Sequence, residues 1–182
     1  MLEEVQIIEG CIRKDPQCMK LLYERYAPSL YGVALRYTKT EQDAQDVLQE
    51  SFVRIFDNME LYEGKGNFLG WLTRVVVNHA LNYNYAYMPR VRTVNFADYE
   101  ERIGDESVTD SPDLTHQVLL GLIRELPQGY QAVFNLCAIE GYSSEEAAKL
   151  LNCTPATCRT QLFKAKVSLR KKINEFLIKE YT

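Results

Sequence analysis

Residues 143–172 read Ser143-Ser144-Glu145-Glu146-Ala147-Ala148-Lys149-Leu150-Leu151-Asn152-Cys153-Thr154-Pro155-Ala156-Thr157-Cys158-Arg159-Thr160-Gln161-Leu162-Phe163-Lys164-Ala165-Lys166-Val167-Ser168-Leu169-Arg170-Lys171-Lys172. Two helices joined by a tight turn are written into this stretch. Ser143 and Glu146 have capping-box spacing, so the hydroxyl can take an orphan amide and the Glu can return a bond to the Ser143 backbone. The first helix therefore begins near Ser144. It ends after Leu151, because Asn152 is the non-glycine residue that best tolerates the left-handed backbone of a C-terminal turn. Thr154 and Pro155 restart the chain as N-cap and first helical position, where the missing proline amide costs nothing.

On the second helix Cys158, Leu162, Ala165, Leu169 and Ile173 recur at the three-or-four spacing of one apolar stripe. The other face holds Thr157, Arg159, Thr160, Phe163, Lys164, Val167 and Lys171. From Ala156 to Lys172 there are six Lys or Arg and no Asp or Glu, in a chain whose net charge is −4. Such a face suits phosphate binding, though charge alone fits a solvated surface equally well. Phe163 within it, behind a capped helix and tight turn, favours a DNA-reading helix-turn-helix with the second helix in the major groove.

A chain of 182 residues with 46% apolar side chains can form one large or two small packed domains. No run approaches the ~18 apolar residues of a membrane span, and Met1-Leu2-Glu3-Glu4 is acidic where a signal peptide would be basic. A cytoplasmic protein is expected. Five cysteines without a Cys-x-x-Cys pair, and only two histidines, argue against a zinc site. Cys137, Cys153 and Cys158 fall in apolar patterns and are expected as small buried side chains.

Charge is unevenly placed. Residues 93–115 carry one basic and seven acidic residues and include Gly104, Ser107, Thr109, Asp110, Ser111 and Pro112 without helical periodicity. They read as a flexible acidic linker.

Before the linker the chain is helical. A first helix is expected from about Leu2 to Ile12, and Asp15-Pro16 caps a second that runs to about Tyr37, with Pro28 expected to bend or interrupt it. Thr40 and Asp43 open a third, with Ala44, Val47, Leu48, Phe52, Ile55 and Phe56 inward and Asp43, Asp46, Gln49, Glu50 and Arg54 outward. Gly64, Gly66 and Asn67 mark a loop, and Asn67 caps a helix holding Phe68, Leu72, Val75, Val76 and Ala80. No segment sustains strand alternation, so the fold class is all-α.

The stretch 71–92 interleaves Arg74, Asn78, His79, Asn82, Tyr83, Asn84, Tyr85, Tyr87, Arg90 and Arg92. A single-stranded nucleic-acid surface needs these types: rings stack on bases, amides bond to base edges and Arg binds phosphate. Solvated polar residues would explain Asn78 and Asn82 as well. Trp71, following Phe68 and Leu69, is expected in the core.

With these pieces in order, the chain resembles sigma-70 family factors of the extracytoplasmic-function group over nearly its whole length. Leu22-Tyr23-Glu24-Arg25-Tyr26-Ala27-Pro28-Ser29-Leu30-Tyr31 resembles the opening of region two, and Asp43-Ala44-Gln45-Asp46-Val47-Leu48-Gln49-Glu50-Ser51-Phe52 its polymerase-docking helix. Phe68-Leu69-Gly70-Trp71-Leu72-Thr73-Arg74-Val75-Val76-Val77-Asn78 resembles its promoter-melting helix. Leu126-Pro127 to Phe134 and Glu140-Gly141-Tyr142-Ser143 resemble the lead-in to region four. Ala147, Cys158 and Asn152 depart from the family's usual β-branched residues and Gly.

The resemblance implies residues 1–92 as region two, 93–115 as linker and 116–182 as region four. Core RNA polymerase would be the partner, through the β′ clamp helices, contacted by Asp43, Asp46, Gln49 and Glu50, and through the β flap. Promoter DNA would be bound at the minus-ten element by Tyr62, Lys65, Asn67, Arg74, Asn78, Asn82 and Tyr83. There a base leaves the stack at a cost of a few kcal/mol, toward Tyr62 and Asn78. The minus-thirty-five duplex would be read by Thr157, Arg159, Thr160, Phe163 and Lys164. The linker would run through the RNA exit path, and a membrane-bound anti-sigma protein could hold the factor at the inner membrane.

An enzyme is not expected: there is no phosphate-cradling Gly loop, no metal-ligand spacing and no nucleophile with a placed base. Neither a cofactor nor a small-molecule substrate is called for. A stand-alone helix-turn-helix regulator would leave the acidic helix and the aromatic segment unexplained. A sigma-like decoy for an anti-sigma protein would bind that protein without opening promoters.

Overall fold

The computed structural model describes residues 3–85 and 115–180. Apart from Thr115, the acidic stretch 93–115 lies outside the described residues, as do Tyr87, Arg90 and Arg92. Among the described residues every regular element is a helix. The chain divides into two compact units, with α1 to α4 in the first and α5 to α8 in the second.

In the first unit α1 (Glu4–Ile12) and α2 (Pro16–Tyr37) meet at a turn in which Lys14 takes a φ of 60°. Asp15 caps α2 by accepting from the Gln17 and Cys18 amides. Helix α2 runs through Pro28 without interruption, against the sequence expectation of a possible break. The proline ring removes one amide from the ladder, but Ala27 and Leu30 on either side are buried, so packing holds the helix where local preference would end it. Cys11 and Cys18 are both buried at this turn. Burial, with Cys18 and Asp15 adding to it, pushes the Cys11 thiol up to about 11.

Helix α3 (Glu41–Asp57) starts on Thr40, whose hydroxyl accepts from the Asp43 amide at 3.0 Å. Its buried face is Ala44, Val47, Leu48, Ser51, Phe52 and Ile55. A single 3-10 turn, Met59–Leu61, leads to a loop in which Gly64 and Gly66 take φ of 71° and 81°. A side chain would be strained at either position. Helix α4 (Phe68–Tyr85) follows, its first turn capped by the Asn67 carboxamide accepting from the Leu69 amide at 2.9 Å. Helix α2 packs on α3 and α4, and α3 packs on α4. Leu22, Leu30, Val47, Ile55, Phe68, Leu72, Val76 and Val77 are fully enclosed there. Each contributes on the order of 1.5–3 kcal/mol, which secures α3 and α4 as a rigid platform.

In the second unit α5 (His116–Arg124), α6 (Gln128–Phe134) and α7 (Ser144–Leu150) all pack on α8 (Pro155–Glu180). Ile123, Leu126 and Leu169 form the centre of one cluster, with Leu119, Leu122, Tyr130, Phe134 and Ile173 around it. A π-helical turn, Asn135–Ile139, extends α6, and the Tyr142 amide closes it by donating to Leu136 O.

Candidate nucleic-acid interface

The motif at 143–172 forms as its residues dictate. Ser143 and Glu146 exchange both capping-box bonds, at 3.2 Å from the Glu146 amide and 2.9 Å from the Ser143 amide. Asn152 takes the left-handed conformation, φ 50°, and lets the Cys153 amide reach Ala148 O at 3.0 Å. The Thr154 hydroxyl then accepts from the Thr157 amide. Ala147, Ala148 and Cys158 are buried between α7 and α8, so small side chains set their close approach. Burial pushes the Cys158 thiol up to about 12. Cys137 and Cys153, expected to be buried, are only half-buried.

The stripe turned into the unit contains Cys158, Ala165 and Leu169, as the spacing predicts. On the other face Phe163 is 54% exposed, an aromatic ring held out in water on a cationic helix. Arg159 is also exposed, and Lys164 half-buried. The Thr157 and Thr160 hydroxyls already have partners, Thr154 Oγ1 at 2.9 Å and Ala156 O at 3.0 Å. Arg159 Nη1 lies 3.1 Å from Glu145 Oε1, a pairing fourteen residues apart that no helical spacing announces.

In the first unit Arg74, Asn78 and Asn82 are all exposed and four residues apart, one row along α4. Trp71 begins the same row and is half-buried, contrary to its expected place in the core. Its ring stacks on Phe68 at 5.9 Å, and Tyr62 leans on both, 4.8 Å from Phe68 and 5.6 Å from Trp71. The Tyr62 hydroxyl donates to Gly66 O at 3.2 Å and fixes the glycine loop beside this aromatic wall. Lys65 and Asn67 are exposed on that loop, with Lys65 Nζ 2.7 Å from Glu63. Tyr62 and the loop it fixes thus adjoin the Trp71 end of the row that Arg74, Asn78 and Asn82 continue.

Tyr83 stands apart from that row. It is about 100° around α4 from Asn82, and its hydroxyl donates to Asp43 Oδ1 on α3 at 3.1 Å. Asp43 Oδ2 accepts from the Thr40 hydroxyl at 2.6 Å. The Thr40 hydroxyl, then Tyr83, hold the Asp43 carboxyl below the usual carboxylate range, and the same bond raises the Tyr83 hydroxyl. One turn back, buried His79 has Nε2 3.0 Å from Glu50 Oε2, a close approach that is not a well-aligned hydrogen bond and becomes an ion pair only when the imidazole is protonated. Burial and the nearby Arg54 lower the His79 imidazole more than Glu50 raises it. Gln49 and Glu50 are exposed, Asp43 and Asp46 half-buried. Thr40 and His79 were not singled out as orienting groups from sequence; only the Thr40-to-Asp43 capping interval could have flagged the first.

Two family models meet this geometry: residues 22–84 match sigma-70 region 2 and residues 116–169 match sigma-70 region 4. The chain belongs to the sigma-70 family. It is a sigma factor of the extracytoplasmic-function group, and its function lies in transcription initiation. The RNA polymerase sigma-H factor of Pseudomonas aeruginosa is 28% identical to it over 96% of each chain. The ECF RNA polymerase sigma-E factor of Haemophilus influenzae is 26% identical over 97% of this chain and 98% of the relative. In fold, the sigma factor is similar to CnrH, solved with the cytosolic domain of CnrY: TM-score 0.51, 19% identity, 93% of this chain and 96% of that one. It is similar also to RpoE of Bartonella quintana, solved with the anti-sigma factor NepR: TM-score 0.50, 17% identity, 85% and 96%. Among the described residues of this sigma factor, no helix is long and apolar enough to cross a membrane, and no group of three or more His, Cys, Asp or Glu is placed to hold a metal ion.

Proposed function

We propose that this sigma factor docks on core RNA polymerase through the acidic face of α3 and engages promoter DNA at two places, the minus-ten strand on α4 and the minus-thirty-five duplex on α8. The observation that carries the reading is the surface joining Arg74, Asn78 and Asn82 to the Tyr62 and Trp71 rings and the loop at Lys65 to Asn67. Cation, amides and half-exposed rings along one helix and the loop before it suit an unpaired strand: Arg takes phosphate, amides take base edges, rings stack. On α8, Arg159, Thr160, Phe163 and Lys164 would face duplex DNA, with Thr157 at the helix start beside the backbone.

Residues 1–92 would carry docking and melting, 93–115 the connection and 116–182 the upstream contact. The β′ clamp helices would receive Asp43, Asp46, Gln49 and Glu50, and the β flap would receive region four. The factor would work in the cytoplasm without catalysis of its own, under control of an anti-sigma protein that can hold it at the inner membrane.

The experiment is transcription with purified chain, core polymerase and genomic promoter fragments. New transcript starts that require the chain are expected. Failure to bind core polymerase would overturn the docking reading. Core binding without an open complex would favour a decoy, and duplex binding without any need for polymerase a stand-alone regulator.

A further inference from the structure

The acidic face of α3 is pinned from the neighbouring helix. Asp43, Asp46 and Glu50 follow at intervals of three and four, so their carboxylates line one face and repel one another. Left to itself, such a row would spread its side chains into solvent. Here Asp43 has both oxygens engaged, by the Tyr83 hydroxyl at 3.1 Å and the Thr40 hydroxyl at 2.6 Å. Asp46 Oδ1 accepts from Gln42 Nε2 at 3.4 Å, and Glu50 Oε2 lies 3.0 Å from His79 Nε2. Two of these four contacts come from α4, the helix whose adjoining face, about 100° away, carries Arg74, Asn78 and Asn82. Asp46 and Glu50 also lie within electrostatic reach of the Tyr83 hydroxyl, and Arg54 within reach of His79.

We propose that Tyr83 is a positioning residue for polymerase docking, holding the carboxylate of Asp43 in the arrangement that the polymerase receives. The proposal rests on the reading of α3 as the docking helix. Ion pairing across an interface rewards charges that are already fixed, because the side-chain entropy lost on binding has been surrendered during folding. Tyr83 is suited to this by its rigid ring and its single donor, whose proton lies near the ring plane on one of two sides. On this assignment the hydroxyl of Tyr83 serves the docking surface, although its helix also carries the nucleic-acid row.

The test is a double-mutant cycle on the full chain, read as the dissociation constant for core polymerase by competition with labelled parent protein. Tyr83→Phe removes only the hydroxyl and keeps the ring. It should weaken core binding about three- to tenfold, while Asp43→Asn weakens it at least as much and Tyr83→Phe adds nothing further in the Asp43→Asn background. If Asp43→Asn and Glu50→Gln leave core affinity unchanged, the docking reading itself fails. If they weaken it while Tyr83→Phe stays within twofold of the parent, or the losses of Tyr83→Phe and Asp43→Asn multiply, docking stands and the positioning role is overturned.

Discussion

Arg159 on α8 and Glu145 on α7 form an ion pair at 3.1 Å, with both side chains more than half exposed. In the unbound protein the guanidinium expected to meet DNA is thus held by a carboxylate. A surface pair of this kind is worth about 0–1 kcal/mol, so it can be exchanged for a phosphate or base edge at little cost. Glu145→Gln should leave the unfolding midpoint nearly unchanged and tighten binding to minus-thirty-five duplex several-fold at low salt, by removing a negative charge beside the backbone. Titration of labelled duplex at two salt concentrations checks both the gain and its screening.

Gly10 lies against Cys18 where α1 meets α2. A Cβ added at Gly10 would stand 2.6 Å from Cys18 Cβ and closer still to its sulfur. Gly10→Ala should destabilise the first unit by about 1–3 kcal/mol through overpacking. Adding Cys18→Ala should restore only part of this, because the Cβ contact remains. Urea unfolding of the single and double variants measures the difference.

Asn152 pivots the turn between α7 and α8 at φ 50°. The left-handed conformation costs most L-residues roughly 1–2 kcal/mol and Asn less. Asn152→Gly is therefore expected within about 0.5 kcal/mol of the parent, since the relieved strain offsets glycine's larger entropy loss. Asn152→Val should cost at least about 1 kcal/mol. Hydrogen exchange of the α7 amides, which report opening of this motif, distinguishes the two.

His79 makes stability depend on pH. Its folded-state value lies below the ordinary 6.5, chiefly because burial disfavours the imidazolium. The stabilisation is fully present above 6.5 and is lost as pH falls toward the folded value, because the unfolded chain takes up the proton first. The slope within that window is at most about 1.4 kcal/mol per pH unit. The stability difference between the parent and His79→Gln should be constant above neutrality and shrink below it. Equilibrium unfolding in a pH series would show this; a difference independent of pH would exclude the assignment.

The exposed amide row on α4 was legible because residues four apart share a helix face whatever the helix packs against. Which side of the helix Tyr83 served was not legible. Its spacing from His79 is as regular as that of Asn78 from Asn82, and only the position of α3 separates the two rows. Trp71 shows the converse: it follows Phe68 and Leu69, yet it is half-buried because α2 and α3 enclose Phe68 and Leu72 but leave the indole at the margin.

The sequence by itself determined several helix ends and one buried face. Capping at Ser143 and Asp15, the left-handed turn at Asn152 and the apolar stripe from Cys158 to Ile173 depend on interactions within a few residues of each other. The tertiary structure alone decided that Pro28 would be carried through α2, that Glu145 would hold Arg159, and that Tyr83 and His79 would reach Asp43 and Glu50. Those contacts join side chains from separate helices, or pit local backbone preference against burial, and the outcome depends on where helices far apart in sequence come to rest.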